Sequence, residues 1–387
     1  MAPELAIKAL SRLKAPSMVL DPMVGSGTVV RHALEFGHRA KGFDLDPLAV
    51  LMTKVWTTSV NETVVERLCR QTLAEVKATP DNIGLPWIDE DEETKQFSEF
   101  WFGEAQRSDL RRISFVLAHI EGSCRTTASV AAANILRLAL SRIIITKENG
   151  ASLARDVSHS RPHKVTEQSS FDVLAAFERS IVQVRRLLAV TPISVSAEIK
   201  TGDARSLRSV DNRSIDVVLT SPPYLNAIDY MRGHRLSLIW LGYRLAELRA
   251  IRTASIGAER RNDASDTGHL FGEIQASMCE VATVPKRHAA MILRYAEDVY
   301  RFVSEVARVL RSDGRAIFVV GDSCLQGNFV RNSSGVARAA SLVGLKLTRR
   351  IERELPAQHR YLPMPRSSDA PLGGRMRTET VLSFRHR

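Results

Sequence analysis

The sequence lacks the cysteine and histidine patterns that indicate a disulfide framework or a zinc site. Its four cysteines, among 387 residues, lie far apart and include no Cys-x-x-Cys pair. Reduced and buried thiols are therefore predicted. The histidines show neither His-x-x-x-His nor His-Glu-x-x-His spacing, so we predict no bound metal ion. A zinc ribbon and a disulfide-rich scaffold are excluded as protein classes.

Segments that direct a protein to a membrane are also missing. The opening residues, MAPELAIKALSRLKAP, have no apolar core of the kind found in signal peptides. The most apolar stretch, residues 128–145, is interrupted by Asn134, Arg137 and Arg142, which is not the pattern of a membrane-spanning helix. We expect an intracellular, cytoplasmic protein.

Acidic residues are too few to balance the basic ones. Lys and Arg number 54 against 43 Asp and Glu, which gives a formal net charge of +11. Such an excess favours a polyanionic partner, nucleic acid before a membrane surface. The apolar fraction of 44% and the charged fraction of 25% are otherwise typical of a globular enzyme.

Strand and helix patterns alternate at both ends of the chain. Strands are predicted at residues 18–20 and 39–43, with a helix over 28–36 between them. In the second half, a strand at 215–219 precedes an amphipathic helix that is predicted to stop at Asp313-Gly314. Further strands are predicted at residues 195–200, 316–320, 345–349 and 379–384, with a helix over 330–342. The alternation predicts an α/β protein with a parallel sheet.

Two stretches interrupt this alternation. Residues 61–191 show helical periodicity, whereas residues 225–290 are rich in arginine and less regular. We predict a catalytic core formed by residues 1–60 and 192–387. The first stretch is then a helical insertion, suited either to target recognition or to a cap or dimer face, and the second is an insertion within the core.

The loop DPMVGSGT, residues 21–28, falls between a predicted strand and a predicted helix. Glycines at positions 25 and 27 permit positive φ and let a ligand approach the backbone. The N–H groups that begin the helix face such a ligand. A purely structural turn is one alternative. A dinucleotide-binding fingerprint is another, but Val30 stands where its third glycine belongs.

Two carboxylates follow neighbouring strands of the predicted sheet. Asp44 ends the second strand, where it can accept hydrogen bonds from ribose hydroxyls. Asp203 follows the next core strand, where it can accept one from an adenine amino group. Asp44 is also suited to a helix N-terminus, and Asp203 to capping a turn. Taken with the glycine loop, they indicate a ligand along the carboxyl edge of the sheet.

The pentapeptide TSPPY, residues 220–224, follows the predicted strand IDVVL. Its two prolines fix φ and remove two N–H donors, so the loop is rigid and presents carbonyl oxygens. Ser221 Oγ and the Pro222 carbonyl can accept the N–H groups of a planar aromatic amine, which frees the nitrogen lone pair to attack a methyl group. Tyr224 offers a ring on which a base can stack. A proline-rich structural turn is the alternative.

DPMVGSGT, GFDLDP, GDAR and TSPPY, in this order, resemble motifs I to IV of the DNA amino-methyltransferases. SPPY is the form most often found in the N4-cytosine branch, while DPPY and NPPY are commoner for N6-adenine. The segments NAIDYMRGHRLSLIWLG, VSEVARVLRSDGRAIFVVGDS and RTETVLSF are similar to later parts of bacterial site-specific members. The resemblance covers residues 1–60 and 195–387. Met23 departs from the family pattern, which has phenylalanine there.

The resemblance implies a Rossmann-like class I methyltransferase fold with a mostly parallel seven-stranded sheet, and S-adenosylmethionine as cofactor. It assigns the methionine part of that cofactor to Asp21 and the two loop glycines, the ribose to Asp44 and the adenine to Asp203. The predicted cofactor-binding residues are Asp21, Pro22, Gly25, Gly27, Thr28, Asp44 and Asp203. The predicted catalytic residues, which hold a base flipped out of a DNA duplex, are Ser221, Pro222, Pro223 and Tyr224. Cytosine-5 methylation is set aside, because no cysteine stands beside a proline.

Cationic side chains must hold the nucleic-acid backbone while a base is flipped out. The predicted nucleic-acid-binding residues are Arg232, Arg235, Arg252, Arg260 and Arg261. A second basic segment comprises Lys147, Arg155, His159, Arg161, His163 and Lys164. The alternative for both sets is solvated surface.

The leading hypothesis is a DNA methyltransferase that acts on N4 of cytosine, as in restriction-modification systems. Methylation of N6 of adenine, or of RNA or protein amides, is an alternative enzyme function. A catalytically silent nucleic-acid-binding protein is an alternative from another class, against which the intact Gly25, Gly27, Asp44 and Ser221 argue. Recognition sequence, restriction partner and oligomeric state are not predicted.

Overall fold

The computed structural model divides the chain into two compact units. The sheet unit comprises Met1–Leu45, Ala197–Ala227 and Arg252–Arg387, and the helical unit comprises Asp46–Ser196 and Ile228–Ile251. The residues that the structure describes are 3–14, 16–146, 149–155, 162–190, 193, 197–225, 229–258, 269–325, 328–354 and 378–387.

The elements are numbered in chain order. The strands are β1 (Met18–Asp21), β2 (Arg39–Asp44), β3 (Ala154–Arg155), β4 (His163–Lys164), β5 (Glu198–Thr201), β6 (Ile215–Thr220), β7 (Leu310–Gly321), β8 (Ser323–Leu325), β9 (Asn328–Val330), β10 (Leu345–Glu354) and β11 (Thr378–His386). The helices are α1 (Pro3–Leu10), α2 (Thr28–Glu35), α3 (Pro47–Thr57), α4 (Glu62–Ala78), α5 (Pro86–Asp89), α6 (Glu92–Trp101), α7 (Glu104–Ser123), α8 (Thr127–Ile144), α9 (Val173–Val190), α10 (Met231–Leu238), α11 (Leu245–Ala254), α12 (His269–Met278), α13 (Lys286–Val309) and α14 (Asn332–Leu342).

The sheet unit is built on seven strands in the order β10-β11-β7-β6-β1-β2-β5. The strands β7, β6, β1, β2 and β5 pair in parallel, and β11 is antiparallel to both of its neighbours. The sheet is mostly parallel and Rossmann-like, and β11, the last strand in the sequence, is inserted antiparallel between β7 and β10. This is the arrangement of class I methyltransferases. The predicted fold class is confirmed.

The central strands are apolar on both faces because helices cover them on both sides. Leu20 of β1, Val218 of β6 and Phe318 of β7 are each fully buried. The apolar face predicted for the long amphipathic helix also lies inside this core, with Tyr295 and Phe302 of α13 almost completely buried. The sequence periodicity therefore identified the face that packs on the sheet.

The end of α13 differs from the prediction. The helix ends at Val309 rather than at Asp313-Gly314, because Leu310 already pairs with Ile215 of β6. The backbone N–H groups of Arg213 and Ser214 donate to the last helical carbonyls, at distances of 3.0 and 2.9 Å. Strand pairing thus begins before Asp313-Gly314, where the helix had been predicted to stop.

The stretch 225–290 also differs from its prediction as a less regular segment. Its described residues contain α10, α11 and α12, together with two short 3₁₀ helices, Ile239–Leu241 and Val281–Thr283. By its packing it is divided between the units, since Ile228–Ile251 groups with the helical unit and the residues on either side group with the sheet unit. Because the stretch is rich in arginine, the helical spacing of its apolar residues was not recognised in the sequence. Leu236, Leu248 and Ile274 are all buried.

The helical unit is centred on α8. Among the described residues, this is the one helix long and apolar enough, by length and composition, to cross a membrane. It packs against α3, α4, α7 and α9, and most of its apolar residues, including Ile135 and Leu136, are buried in the core of the unit. That burial is the packing expected of a central core helix.

Candidate functional site at the carboxyl edge of the sheet

The carboxyl ends of the parallel strands bring the predicted cofactor-binding and catalytic residues to one edge. Asp21 ends β1, Asp44 ends β2 and Thr220 ends β6. Because these strands run in the same direction, the loops that follow them leave from the same side of the sheet. The glycine loop and the TSPPY loop therefore emerge from neighbouring strands, since β1 pairs directly with β6.

The glycine loop is held by hydrogen bonds to the end of β2. The N–H of Val24 donates to the Phe43 carbonyl, and that of Gly25 donates to Asp44 Oδ2, both at 2.9 Å. Gly25 adopts a φ of +52°, and a Cβ built there would meet no atom within 4 Å. The residue therefore has the left-handed backbone that favours glycine, with open space in front of it into which a ligand can fit.

Helix α2 begins directly behind this loop. Gly27 precedes the helix with a φ of 84°, and within the described residues no side chain caps the first N–H groups. The hydroxyls of Ser26 and Thr28 lie 3.3 Å apart. Uncapped N–H groups with a positive dipole end suit a carboxylate or another anionic group.

Asp21 is a buried carboxyl at the start of the glycine loop, only 3% exposed. Burial raises its pKa from 3.8 to about 6, and the nearby charge of Asp44 acts in the same direction. The N–H of Met23, 3.2 Å from Oδ1, offsets part of that effect. A second negative charge is therefore held at this edge against an electrostatic cost, which a cationic ligand would relieve.

Asp203 is engaged more fully than the sequence predicted. Its carboxylate accepts from the Arg205 backbone N–H at 2.8 Å and from the Arg205 guanidinium at 2.7 Å. It thus forms the turn that had been the alternative interpretation, and an ion pair besides. Contact with an adenine stays a prediction for this residue.

Arg205 links Asp203 to the long helix of the sheet unit. Its guanidinium donates to Asp298 Oδ1 of α13 at 2.5 Å and also to the carbonyl of Ala254. Burial opposes the charge of Arg205, but the two carboxylates outweigh it and hold the pKa of the guanidinium above its usual value. Removal of one partner from an ion pair this deeply buried strongly destabilises the folded protein.

Ser221 is oriented by a hydrogen bond to the adjacent strand. Its hydroxyl donates to the carbonyl of Val319 in β7, with 3.2 Å between the oxygens. A hydroxyl that donates its proton to a carbonyl in a hydrogen bond can still accept a hydrogen bond from another donor through its lone pairs. Ser221 Oγ can therefore accept a hydrogen bond, which is the role that the sequence predicted for it.

The next part of the loop is fixed by Tyr295. The Tyr295 hydroxyl donates to the Pro223 carbonyl at 3.0 Å. Burial, together with the charge of Asp298, raises the pKa of Tyr295 far above its usual value, so the hydroxyl stays protonated and remains a donor. One of the carbonyls of TSPPY is thereby turned inward to the core.

A second chain segment closes over the same loop at Gly257. Its N–H donates to Asp298 Oδ2 at 3.3 Å, and its φ is +76°. A Cβ built on Gly257 would lie 3.5 Å from the Tyr295 ring and 3.7 Å from the Tyr224 carbonyl. Asp298 therefore anchors both Arg205 and the segment that packs against the TSPPY loop.

The predicted nucleic-acid-binding arginines are distributed over both units. Arg232 forms an ion pair with Asp229 at 3.2 Å, and the Arg235 guanidinium lies 5.0 Å from the centre of the Phe97 ring, both in the helical unit. Arg252 belongs to α11. Arg260 and Arg261 lie outside the described residues, as do Lys147, His159 and Arg161. Binding of phosphate by this set stays a prediction.

Sequence reasoning missed the residues that position Asp203 and the TSPPY loop. They are Arg205, Gly257, Tyr295 and Asp298, together with Ser323, whose hydroxyl donates to the carbonyl of Leu225 after the loop, and Asn332, which donates to Ser323. One signal was present, because Glu297 and Asp298 interrupt the amphipathic pattern of α13 and are both buried. A buried charge on an apolar helix face indicates a specific partner. The tyrosine gave no such signal, since its ring fits the apolar face equally well.

No protein-family model matches the sequence. The chain is 24% identical over 272 residues to the Type II methyltransferase M.BsoBI of Geobacillus stearothermophilus. This match covers 63% of this chain and 51% of that protein. The chain is 23% identical over 357 residues to the Type II methyltransferase M.MvaI of Kocuria varians, covering 83% of this chain and 74% of that protein. The match thus spans about half the length of the first relative.

Among solved structures, the chain is similar to a TehB-like SAM-dependent methyltransferase from Corynebacterium glutamicum. The identity is 9%, the coverage is 100% of this chain and 87% of that chain, and the TM-score is 0.32. A TM-score this low adds nothing to the strand order, which carries the fold assignment.

The raised pKa of Asp21 predicts a specific pH dependence of stability. The folded-state pKa of about 6 exceeds the unfolded value of 3.8, so the folded protein binds the proton more tightly. Stability therefore falls as pH rises from about 4 to about 6, by about 3 kcal/mol at most. Asp21→Asn retains an acceptor for Met23 and should melt a few degrees above the wild type at pH 8.

Thermal unfolding at pH 4 and pH 8 checks this prediction. The two proteins should melt together at the lower pH. Asp313→Asn, which changes a carboxylate that is 82% exposed, serves as the control and should leave the melting temperature unchanged. A wild type at least as stable as Asp21→Asn at pH 8 would contradict the assignment.

Proposed function

We propose that the protein transfers a methyl group from S-adenosylmethionine to an exocyclic amine of a DNA base. The orientation of Ser221 carries the proposal. Its hydroxyl donates to Val319 and keeps its oxygen as an acceptor, on the strand next to the one that leads into the glycine loop. A hydrogen-bond acceptor for an amine and a site suited to a cationic ligand thus share one edge of the sheet.

The residues of the edge fit the cofactor. The open space at Gly25 admits a ligand, and the uncapped start of α2 suits its carboxylate. We assign the amino and sulfonium charges to the region of Asp21, and the ribose to Asp44. When bound, S-adenosylmethionine supplies a methyl group on a positively charged sulfur. The two Type II methyltransferases to which the chain is similar support this cofactor.

Ser221 acts on the amine rather than on the methyl group. In a free base, the lone pair of the amine nitrogen is delocalised into the ring. Acceptance of one N–H by Ser221 Oγ and of the other by the Pro222 carbonyl favours a pyramidal nitrogen and localises that lone pair. Tyr224 provides a stacking surface that holds the ring in place, an interaction of about 1–3 kcal/mol.

The transfer is a direct displacement. The nitrogen forms a bond to the methyl carbon as the bond between carbon and sulfur breaks. The electron pair of the breaking bond stays on sulfur. The nitrogen then loses one proton to solvent water. No covalent intermediate with the protein is required, which agrees with a loop that offers acceptors but no strong nucleophile.

Three features support DNA as the substrate and cytosine N4 as the position. The relatives are named Type II methyltransferases, and the net charge of +11 favours a polyanion. The serine of SPPY is the form most often found in N4-cytosine enzymes. We assign phosphate contacts to Arg232, Arg235, Arg252, Arg260 and Arg261 as part of the same proposal.

Methylated nucleosides identify the reaction. The protein is incubated with bacterial genomic DNA that lacks native methylation and with S-adenosylmethionine carrying an isotopically labelled methyl group. The digested DNA is then analysed by mass spectrometry. Labelled N4-methylcytosine is the expected product. Labelled N6-methyladenine alone would refute the choice of base, and the absence of any labelled nucleoside would refute methylation of DNA.

Variants of the two loops should separate catalysis from cofactor binding. Ser221→Ala removes the acceptor for the amine and should lower kcat by about 100-fold, because such contacts strengthen in the transition state. Asp44→Ala removes both the ribose acceptor and the anchor of Gly25, and should weaken S-adenosylmethionine binding at least tenfold. Steady-state kinetics with calorimetric titration of the cofactor measure both effects. The reverse pattern would show that the roles are misassigned.

Tyr295→Phe tests whether the inward carbonyl of Pro223 matters. The variant keeps the buried ring and loses only the hydroxyl, a hydrogen bond of about 1 kcal/mol. The loop should then sample other orientations, with kcat lowered roughly fivefold and cofactor affinity unchanged.

Tyr300→Phe is the matched control on the same helix, since its ring contacts Phe271. It should retain full kcat. Equal kcat for Tyr295→Phe and the wild type would show that the Pro223 contact has no part in catalysis.

A further inference from the structure

A small hairpin projects beyond the end of β6, the strand that leads into the TSPPY loop. Strands β8 and β9 pair antiparallel, with Cys324 opposite Phe329, and follow β7 after a single residue. The last pairing of β6 with β7 joins Thr220 to Phe318, so β7 continues for three more residues, to Gly321. The hairpin therefore starts at the carboxyl edge of the sheet, further out than the end of β6.

The base of the hairpin is tied to the catalytic loop. The Ser323 hydroxyl donates to the carbonyl of Leu225, the residue that follows TSPPY. Asn332 Nδ2 donates to Ser323 Oγ at 2.6 Å and to the Gly321 carbonyl at 3.0 Å. The backbone N–H of Arg331 donates to Met278 at 2.9 Å. These bonds hold both ends of the hairpin in a defined position beside the loop.

The outward side of the hairpin presents an aromatic ring next to a cation. Leu325 and Val330 are buried, as expected of a hairpin with one face on the core, but Phe329 is 50% exposed. The Arg331 guanidinium lies 5.9 Å from the centre of the Phe329 ring. A single exposed aromatic residue is unremarkable by itself. Here it lies on an anchored hairpin, beside a cation, at the edge that carries the site.

We propose that this pair binds nucleic acid, with Phe329 stacking on an unpaired base and Arg331 contacting the adjacent phosphate. The inference rests on the proposed function and extends it to a second contact. A target amine becomes accessible only when its base leaves the duplex stack, which leaves unstacked bases close to the loop. Aromatic rings next to arginine are the combination that binds single-stranded nucleic acid.

Binding of a labelled oligonucleotide tests the stacking contact without any need for catalysis. The probe is a fluorescein-labelled single-stranded DNA of about 12 nucleotides, within the range that such sites cover, and anisotropy reports its binding. Phe329→Ala should weaken binding about 5- to 100-fold. Phe329→Tyr keeps the ring and should restore most of the affinity, which a merely apolar contact would not require.

Phe36→Ala provides the matched control. Phe36 is 38% exposed and follows α2, three residues before β2 begins. It therefore lies toward the amino edge of the same sheet. Loss of this ring should leave oligonucleotide affinity unchanged.

Salt dependence separates the phosphate contact from stacking. Arg331→Gln removes one cation and should lower the slope of log K against log salt by about 0.7, the value for one phosphate on a single strand. Phe329→Ala should leave that slope unchanged while lowering affinity at every salt concentration. Equal slopes for Arg331→Gln and the wild type would refute the phosphate contact.

The outcomes distinguish this inference from the proposed function. Wild type and Phe329→Ala binding the oligonucleotide equally, or Phe329→Ala altering the oligomeric state by light scattering, would overturn the inference. Affinity that depends on Phe329, with no methyl transfer by the wild type, would support the inference and contradict the proposed function.

Discussion

The parallel pairing of β6 with β1 on one side and β7 on the other is the constraint on which the site depends. It sends the glycine loop, the TSPPY loop and the β8–β9 hairpin out from one edge of the sheet. Hydrogen bonds then tie each of the first two loops to a neighbouring strand: Asp44 of β2 accepts from Gly25, and Ser221 donates to the β7 carbonyl of Val319. Strand order alone thereby makes the predicted cofactor-binding residues neighbours of Ser221, the predicted acceptor for an amine.

A second set of contacts fixes the TSPPY loop from within the core. Tyr295 holds the Pro223 carbonyl, and Asp298, three residues later on α13, holds both Arg205 and Gly257. The same helix therefore supports the loop directly and through a buried ion pair. Buried charges are costly unless they are paired, and Asp298 is paired with Arg205. Rigid support of this kind is what a loop with two prolines and an oriented serine requires.

The sequence predicted the sheet and the motif-bearing loops well, because strand periodicity and glycine or proline punctuation are local properties. Asp21, Gly25, Asp44 and Ser221 all lie where the motif order had placed them, although their roles and the domain boundaries stay predictions. The end of α13 was predicted wrongly, since pairing of Leu310 with a distant strand overrode the local turn signal. Contacts such as that of Tyr295 with Pro223 join residues 72 positions apart, and no local pattern encodes them.

The most direct test of the account is whether the glycine loop forms the cofactor site. Calorimetric titration with S-adenosylhomocysteine compares the wild type with Gly25→Ala and Gly37→Ala. Both glycines have positive φ and open space around them, so the backbone strain is matched, but Gly37 lies at the far end of α2. The account predicts binding by the wild type and by Gly37→Ala, and at least tenfold weaker binding by Gly25→Ala. No binding by the wild type, or equal affinity in all three, would contradict it.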